Sequence, residues 1–223
     1  MQNKMKVEIW SDVMCPFCYI GKRKFEAALH SLPQKEDVEV VWHSFQLNPK
    51  LKDQPEKDVY SYLAELKGQT REWSVMIHDN MTKAAKVIGL DYHFEKAKVA
   101  NSFDAHRVIQ LAKKYKMTDA LEERFFKAYF TDGELISDHA TLIRLATEAG
   151  LPKEEVIQVL ETNQYANEVL ADGAEASKLG AHGVPFFVID RKYAVSGAQE
   201  PEVFKASLQK ALQEFQPVKY TLP

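Results

Sequence analysis

Cys15 and Cys18 are the only cysteines in this 223-residue chain, three positions apart in Cys15-Pro16-Phe17-Cys18. Two cysteines in one turn cannot staple much of a fold; a scaffold held by disulfides would use several, widely spaced. Their value is therefore chemical, or they merely pack as small apolar side chains. A dithiol at this spacing can close to a disulfide and reopen, trading electrons with another sulfur pair through a mixed disulfide. Half of a zinc site is the competing use. A structural zinc takes four protein ligands, there is no second cysteine pair, and His30 and His43 stand at no ligand-like spacing, so no metal is expected.

The elements that must position the pair follow from periodicity. Lys6 to Ser11 reads as a strand, with Val7 and Ile9 on one face and Glu8 and Trp10 on the other. A helix follows from about Pro16, with Ile20, Phe25, Ala28 and Leu32 at helical spacing, and Pro33 stops it. Pro16 suits the first helical position, which makes Cys15 the N-cap and Cys18 the third helical residue. The Cys15 sulfur is then expected beside the N–H groups of Phe17 and Cys18, at the positive end of the helix dipole, where thiolates are favoured. Cys15 is the expected nucleophile, and Cys18, one turn further in, the resolving thiol. Val38 to Phe45 is almost continuously apolar and reads as a central strand buried on both faces.

From about Gln54 to Leu179 the period is helical. Ala105, Val108, Ile109, Ala112 and Tyr115 form one stripe; Leu121, Phe125 and Tyr129 a second; Leu142, Ala146 and Ala149 a third, ended by Gly150 and Pro152. Pro185–Asp190 and Tyr193–Ser196 read as a hairpin. A last helix from about Pro201 is expected to bury Val203, Phe204, Leu208, Leu212 and Phe215. The chain thus reads β-α-β, a helical block, then β-β-α. The expected fold is α/β: residues 1–50 and 161–223 form a discontinuous sheet-bearing domain, and 51–160 an all-helical insertion sitting over the cysteines as a lid.

The chain is 45% hydrophobic, enough for a large core, and its net charge of −3 is spread without a basic stretch. That gives phosphate backbones no attraction, so no nucleic-acid partner is expected. The longest apolar runs fall far short of a membrane span, and the first residues lack the apolar core of a secretory signal. A cytoplasmic protein, monomer or homodimer, without membrane contact is the expectation.

The segment Ser11 to Gly21 resembles the active-site segment of DsbA-like thioredoxin-fold proteins, in particular the FrnE type. Gly183-Val184-Pro185-Phe186-Phe187-Val188-Ile189 is similar to the thioredoxin cis-proline loop, and Asn101 to Arg107 and Val195 to Gln199 also look like FrnE-type segments. The resemblance runs from Val7 to about Phe215. It implies a thioredoxin fold with a helical insertion, a cis Pro185 packed on the cysteine pair, and Val184 offering its backbone to an extended substrate. It implies cleft-facing roles for Asn101 and His106; the plainer reading has Asn101 capping the next helix and His106 packed or solvated. Asn48, in the loop after the second strand, is a further candidate substrate contact, as is Phe17. Two departures stand out. Thioredoxins often keep a buried carboxylate six positions before the first cysteine, and here that residue is Ile9. DsbA carries histidine where Phe17 stands.

The resemblance implies an oxidoreductase or isomerase acting on protein or small-molecule disulfides, fed by a thioredoxin or glutathione system. No bound cofactor is expected, with glutathione entering only as co-substrate. A second class is the kappa glutathione transferases and 2-hydroxychromene-2-carboxylate isomerases, which usually carry serine at the first cysteine. A third is a chaperone-like binder with incidental thiols. Trp42, Trp73 and the Phe125/Phe126 pair are expected in the core, and His43 as a core histidine with its hydrogen bonds met.

Overall fold

The computed structural model describes residues 4–215. Four strands, β1 (Met5–Ser11), β2 (Val38–Ser44), β3 (Phe186–Ile189) and β4 (Tyr193–Ser196), form one sheet in the order β2-β1-β3-β4. β1 and β2 are parallel, and the other pairings are antiparallel. Ile9 lies opposite Trp42 on one side and Phe187 on the other. The central strand is therefore β1, and β2 is an edge, which corrects the expectation for Val38 to Phe45. Its apolar run reflects helices packed over it, since α8 (Ala166–Lys178) and α4 (Phe103–Tyr115) both lean on β2. The three-residue turn from β3 to β4 puts Asp190 and Arg191 at φ 51° and 53°, a left-handed pair closed by the Lys192 N–H to Ile189 O bond at 3.0 Å.

Alternation along β1 divides the sheet's two faces. Val7 and Ile9 join Phe187 and Ile189 beneath α1 (Pro16–His30) and α9 (Pro201–Glu214), where Phe25 meets Phe187 at 5.5 Å and Phe204 edge-on at 5.8 Å. Burying each such ring stabilises the fold by roughly 1.5–3 kcal/mol. On α9, Phe204 and Leu208 are buried while Val203 is 43% exposed, so the apolar stripe is narrower than expected. Trp10, Phe186 and Val188 fill the other face with Ala176 of α8. His43 stacks on Trp10 at 4.4 Å and bonds Asp172 and Glu8, a core histidine with both ring nitrogens engaged. Burial opposes the Asp172 charge, but hydrogen bonds from His43 and the Ser44 N–H, with the Lys113 ammonium, outweigh it and hold the carboxyl at about 2.

Between β2 and α8, the chain builds a second core from α2 (Val59–Lys67), α3 (Arg71–Val87), α4, α5 (Thr118–Lys127), α6 (His139–Glu148) and α7 (Lys153–Glu161). Asp58, Thr70 and Asp138 cap α2, α3 and α6 by accepting backbone N–H groups. A π turn, Ala128–Asp132, continues α5 and buries Tyr129 and Phe130. Cys15, Cys18, Tyr19 and Ile20 belong to this helical core, so the start of α1 is the seam between sheet and insertion. Among the described residues no helix is long and apolar enough to cross a membrane.

Candidate active site at the start of helix α1

Cys15 is the N-cap of α1, with extended backbone at φ −89°, ψ 112°, and Pro16 opens the helix. The turn is tied by the Cys15 N–H to Asp12 O at 2.9 Å and by the Cys18 N–H to Cys15 O at 3.0 Å. The Tyr92 hydroxyl, from the insertion, donates to Pro16 O at 2.7 Å. Burial pushes that phenol far up, so it keeps the proton it donates. The sulfur does not cap the helix as the sequence suggests; no side-chain bond reaches the first-turn N–H groups. The Cys15 thiol instead donates to Val184 O at 3.5 Å.

The Val184–Pro185 bond is cis. The Pro185 ring lies so close to α1 that a Cβ at Gly21 would sit 2.8 Å from its Cγ. Glycine inside a helix costs about 1 kcal/mol relative to alanine, and the close approach accounts for it. The Gly197 N–H to Pro185 O bond, at 2.8 Å, anchors the loop to the end of the sheet.

Cys18 is 1% exposed, and burial pushes its thiol well above the ordinary range, helped by the facing Cys15; the Asp12 N–H and the Ser11 hydroxyl work the other way. Ile9 is buried in the sheet core and carries no charge. Asp12, also buried, accepts from the Met14 N–H at 3.2 Å on Oδ1 and the Leu47 N–H at 2.8 Å on Oδ2, with His106 Nε2 3.5 Å from Oδ1. We expect iodoacetamide to label Cys15 at least about tenfold faster than Cys18 near neutral pH, because burial keeps Cys18 a thiol. Peptide mapping after brief labelling reads this, and faster labelling of Cys18 would overturn the order.

A cavity of about 370 Å³ opens beside Cys15, between the α2–α3 hairpin and the start of α1. Its walls are mostly apolar, including Met81, Phe94 and Phe130; Phe17, Leu47 and Leu66 at its mouth are each about half exposed. Phe17 and Asn48 line it; Val184, whose carbonyl meets the Cys15 sulfur, and Pro185 are not among the lining residues. Trp73 is a half-buried wall residue of this cavity rather than core. Asn101 and His106 stand behind the walls. Asn101, just before the α4 N-cap Ser102, accepts the Phe103 N–H at 2.8 Å and ties the loop by donating to Leu51 O. His106 is fully buried. Sequence reasoning passed over Tyr92 and the role of Gly21, whose partners are far along the chain. Among the described residues no group of three or more His, Cys, Asp or Glu is placed to hold a metal.

This arrangement, a dithiol at a helix start against a cis-proline loop with a helical insertion above, defines the DsbA-like branch of the thioredoxin fold. The chain matches the DSBA-like thioredoxin domain over residues 6–209 and belongs to that family. It is similar to a probable DsbA oxidoreductase from Streptomyces coelicolor, at 43% identity and TM-score 0.90, covering 96% of this chain and 93% of that one. It is 28% identical over 206 residues to the uncharacterized protein YwbO of Bacillus subtilis, covering 91% of this chain and 94% of that one. The cytosolic disulfide reductase DsbM of Pseudomonas aeruginosa shares the fold at 18% identity and TM-score 0.67, covering 94% of this chain and all of that one.

Proposed function

We propose that the protein is a dithiol–disulfide oxidoreductase in which Cys15 attacks and Cys18 resolves. The observation that carries this reading is the placement of Cys15: N-cap of α1, in the wall of a cavity, with its sulfur on the Val184 carbonyl just before a cis proline. Reduced Cys15 attacks a substrate sulfur; Cys18 then attacks Cys15, releases the second thiol and leaves the Cys15–Cys18 disulfide. A thioredoxin or glutathione system restores the dithiol, which suits a reducing compartment.

The cavity favours a small substrate with an apolar group beside its disulfide. Its volume falls in the range of small-molecule sites. Lys67 is the one Lys or Arg in its lining, and burial lowers the basicity of His78 so that it stays neutral. Glutathione, with two carboxylates, finds one such partner there. The exposed Phe17, Leu47 and Leu66 offer an apolar entry. Turnover with 4,4′-dithiodipyridine is expected to exceed that with glutathione disulfide by about tenfold in kcat/KM, roughly the 1.4 kcal/mol that two methylenes' burial readily supplies. Insulin is the protein comparison. Cys15→Ser should abolish turnover with every disulfide; residual turnover would sink the assignment of Cys15, and a preference for glutathione disulfide or insulin would sink the apolar substrate. A chaperone-like binder would keep its function in Cys15→Ser.

A further inference from the structure

We propose that Glu122, on α5, is the group that takes the proton from Cys18 when it resolves the mixed disulfide, with Ser11 and His106 lining the way. This rests on the redox reading of the cysteine pair and goes beyond it by supplying the missing acceptor. β1 offers none: Ile9 is apolar, and Glu8 points to the opposite face, held by His43 and Arg191.

Glu122 is fully buried, and neither carboxylate oxygen has a hydrogen-bond partner among the described residues. Buried polar groups rarely go unpartnered, and those that do call for a reason. Of the six such side-chain atoms, five belong to Glu122, His106 and Ser11. Ser11 is next to Asp12 and faces the Cys18 sulfur, and His106 approaches Asp12 at 3.5 Å. The strongest charges felt by Glu122 from outside α5 are Lys22, one turn past Cys18 on α1, and Asp12, just before the pair. Asp119 and Phe126, one turn to either side of Glu122 on α5, meet Lys22 and Tyr19 on α1, so Glu122 is set against the stretch of α1 that begins with Cys18.

The surrounding charges leave Glu122 free for this task. Lys22 is held by Glu26, Asp119 and Glu123, and Arg23 by Glu26 and Glu123. From α4, Lys113 pairs with Asp172. From α6, Glu148 turns to Arg124 and Arg144. Tyr129, on the π turn, is buried and keeps its proton. Burial is the main force on the Glu122 carboxyl and pushes it to about 8, so it changes charge where a thiol must lose its proton.

In the step, the Cys18 S–H proton passes to the Glu122 carboxylate. The Cys18 thiolate attacks the Cys15 sulfur, the Cys15–substrate S–S bond breaks, and its electron pair leaves with the substrate sulfur, which is protonated from solvent. The Cys15–Cys18 disulfide forms, and Glu122 returns its proton when that disulfide is next reduced.

Reduced protein mixed with one equivalent of 4,4′-dithiodipyridine releases one thiopyridone on attack by Cys15 and a second on resolution by Cys18. Stopped-flow absorbance separates the two phases across pH 6 to 10. In the wild type the second phase is expected to rise through about pH 8. Glu122→Gln, which keeps the shape, should slow the second phase at pH 7.5 by about tenfold and move its rise up by about one unit or more, with the first phase unchanged. Glu122→Asp should recover part of the rate. An unchanged second phase in Glu122→Gln, or equal slowing of both phases as in a packing defect, would overturn the assignment. A wild type with no second phase would sink the redox reading itself, a result distinct from either.

Discussion

Glu122→Gln should become more stable than the wild type as pH rises, by about 3.5 kcal/mol more at pH 8 than at pH 5. The folded carboxyl is pushed by burial to about 8, while the unfolded side chain titrates near 4.5. Below 4.5 both states hold the proton. Between 4.5 and 8 the unfolded state has lost it and the folded state still binds it, so the unfolded state gains with each unit of pH. The stability tied to this proton is thus full below 4.5 and lost as pH climbs to 8. Glutamine does not titrate, so the variant escapes that loss. The difference between the two proteins isolates the effect, since groups they share cancel. Asp172 does not intrude, because its carboxyl, held at about 2, changes charge well below this window. Urea unfolding of both reduced proteins at pH 5, 6.5 and 8 gives the slopes. Parallel curves would show that the folded carboxyl is already ionised and would remove the physical basis for its role as acceptor.

A group that weakens the fold at neutral pH and touches no hydrogen-bonding partner is hard to explain by stability. Leu121, Phe125 and Phe126 on the same helix already fill the core, and a fourth apolar residue at 122 would serve packing better. The cost makes sense if the site needs an acid that can change charge near a buried thiol.

That acid was not legible in the sequence. Leu121-Glu122-Glu123-Arg124 reads as the solvated edge of an amphipathic helix, and Glu123 and Arg124 do make ion pairs there. Whether Glu122 faces water or core depends on how α5 docks on α1, a contact about a hundred residues away in the chain. The same limit explains β2. Its apolar run shows burial, but only strand pairing shows that β1 takes the centre and β2 the edge. The parts set by local rules were readable: Pro16 opening α1 behind Cys15, the helix stop ahead of Pro33, the alternation of β1 and the turn at Asp190 and Arg191. The Cys15 sulfur shows where local rules give way. Its N-cap position follows from the sequence, yet a loop 169 residues later draws the thiol to Val184 O.

The reduction potential of the Cys15–Cys18 couple is expected between roughly −180 and −270 mV, below the roughly −120 mV of DsbA. A strong oxidant owes its potential to a stabilised thiolate in the reduced form. Three observations count against such stabilisation here. No charged side chain lies between the cysteines, Phe17 standing where DsbA has histidine. The Cys15 sulfur makes no bond to the N–H groups of the first turn. Burial holds Cys18 as a thiol. A gap of about 60 mV from the DsbA value corresponds to roughly 2.8 kcal/mol of reduced-state stabilisation that this site lacks. Equilibration in defined glutathione mixtures, read by trapping free thiols, gives the number. A value at or above −120 mV would mean that another group, with Asp12 and His106 the nearest candidates, governs the couple. Phe17→His should move the potential upward by placing an imidazolium beside the sulfurs. Phe17 is 47% exposed at the cavity mouth, so solvent will screen part of that charge and the rise should stop short of the full gap. No movement at all would show that position 17 points away from the sulfurs and that the low potential has its source in the burial of Cys18.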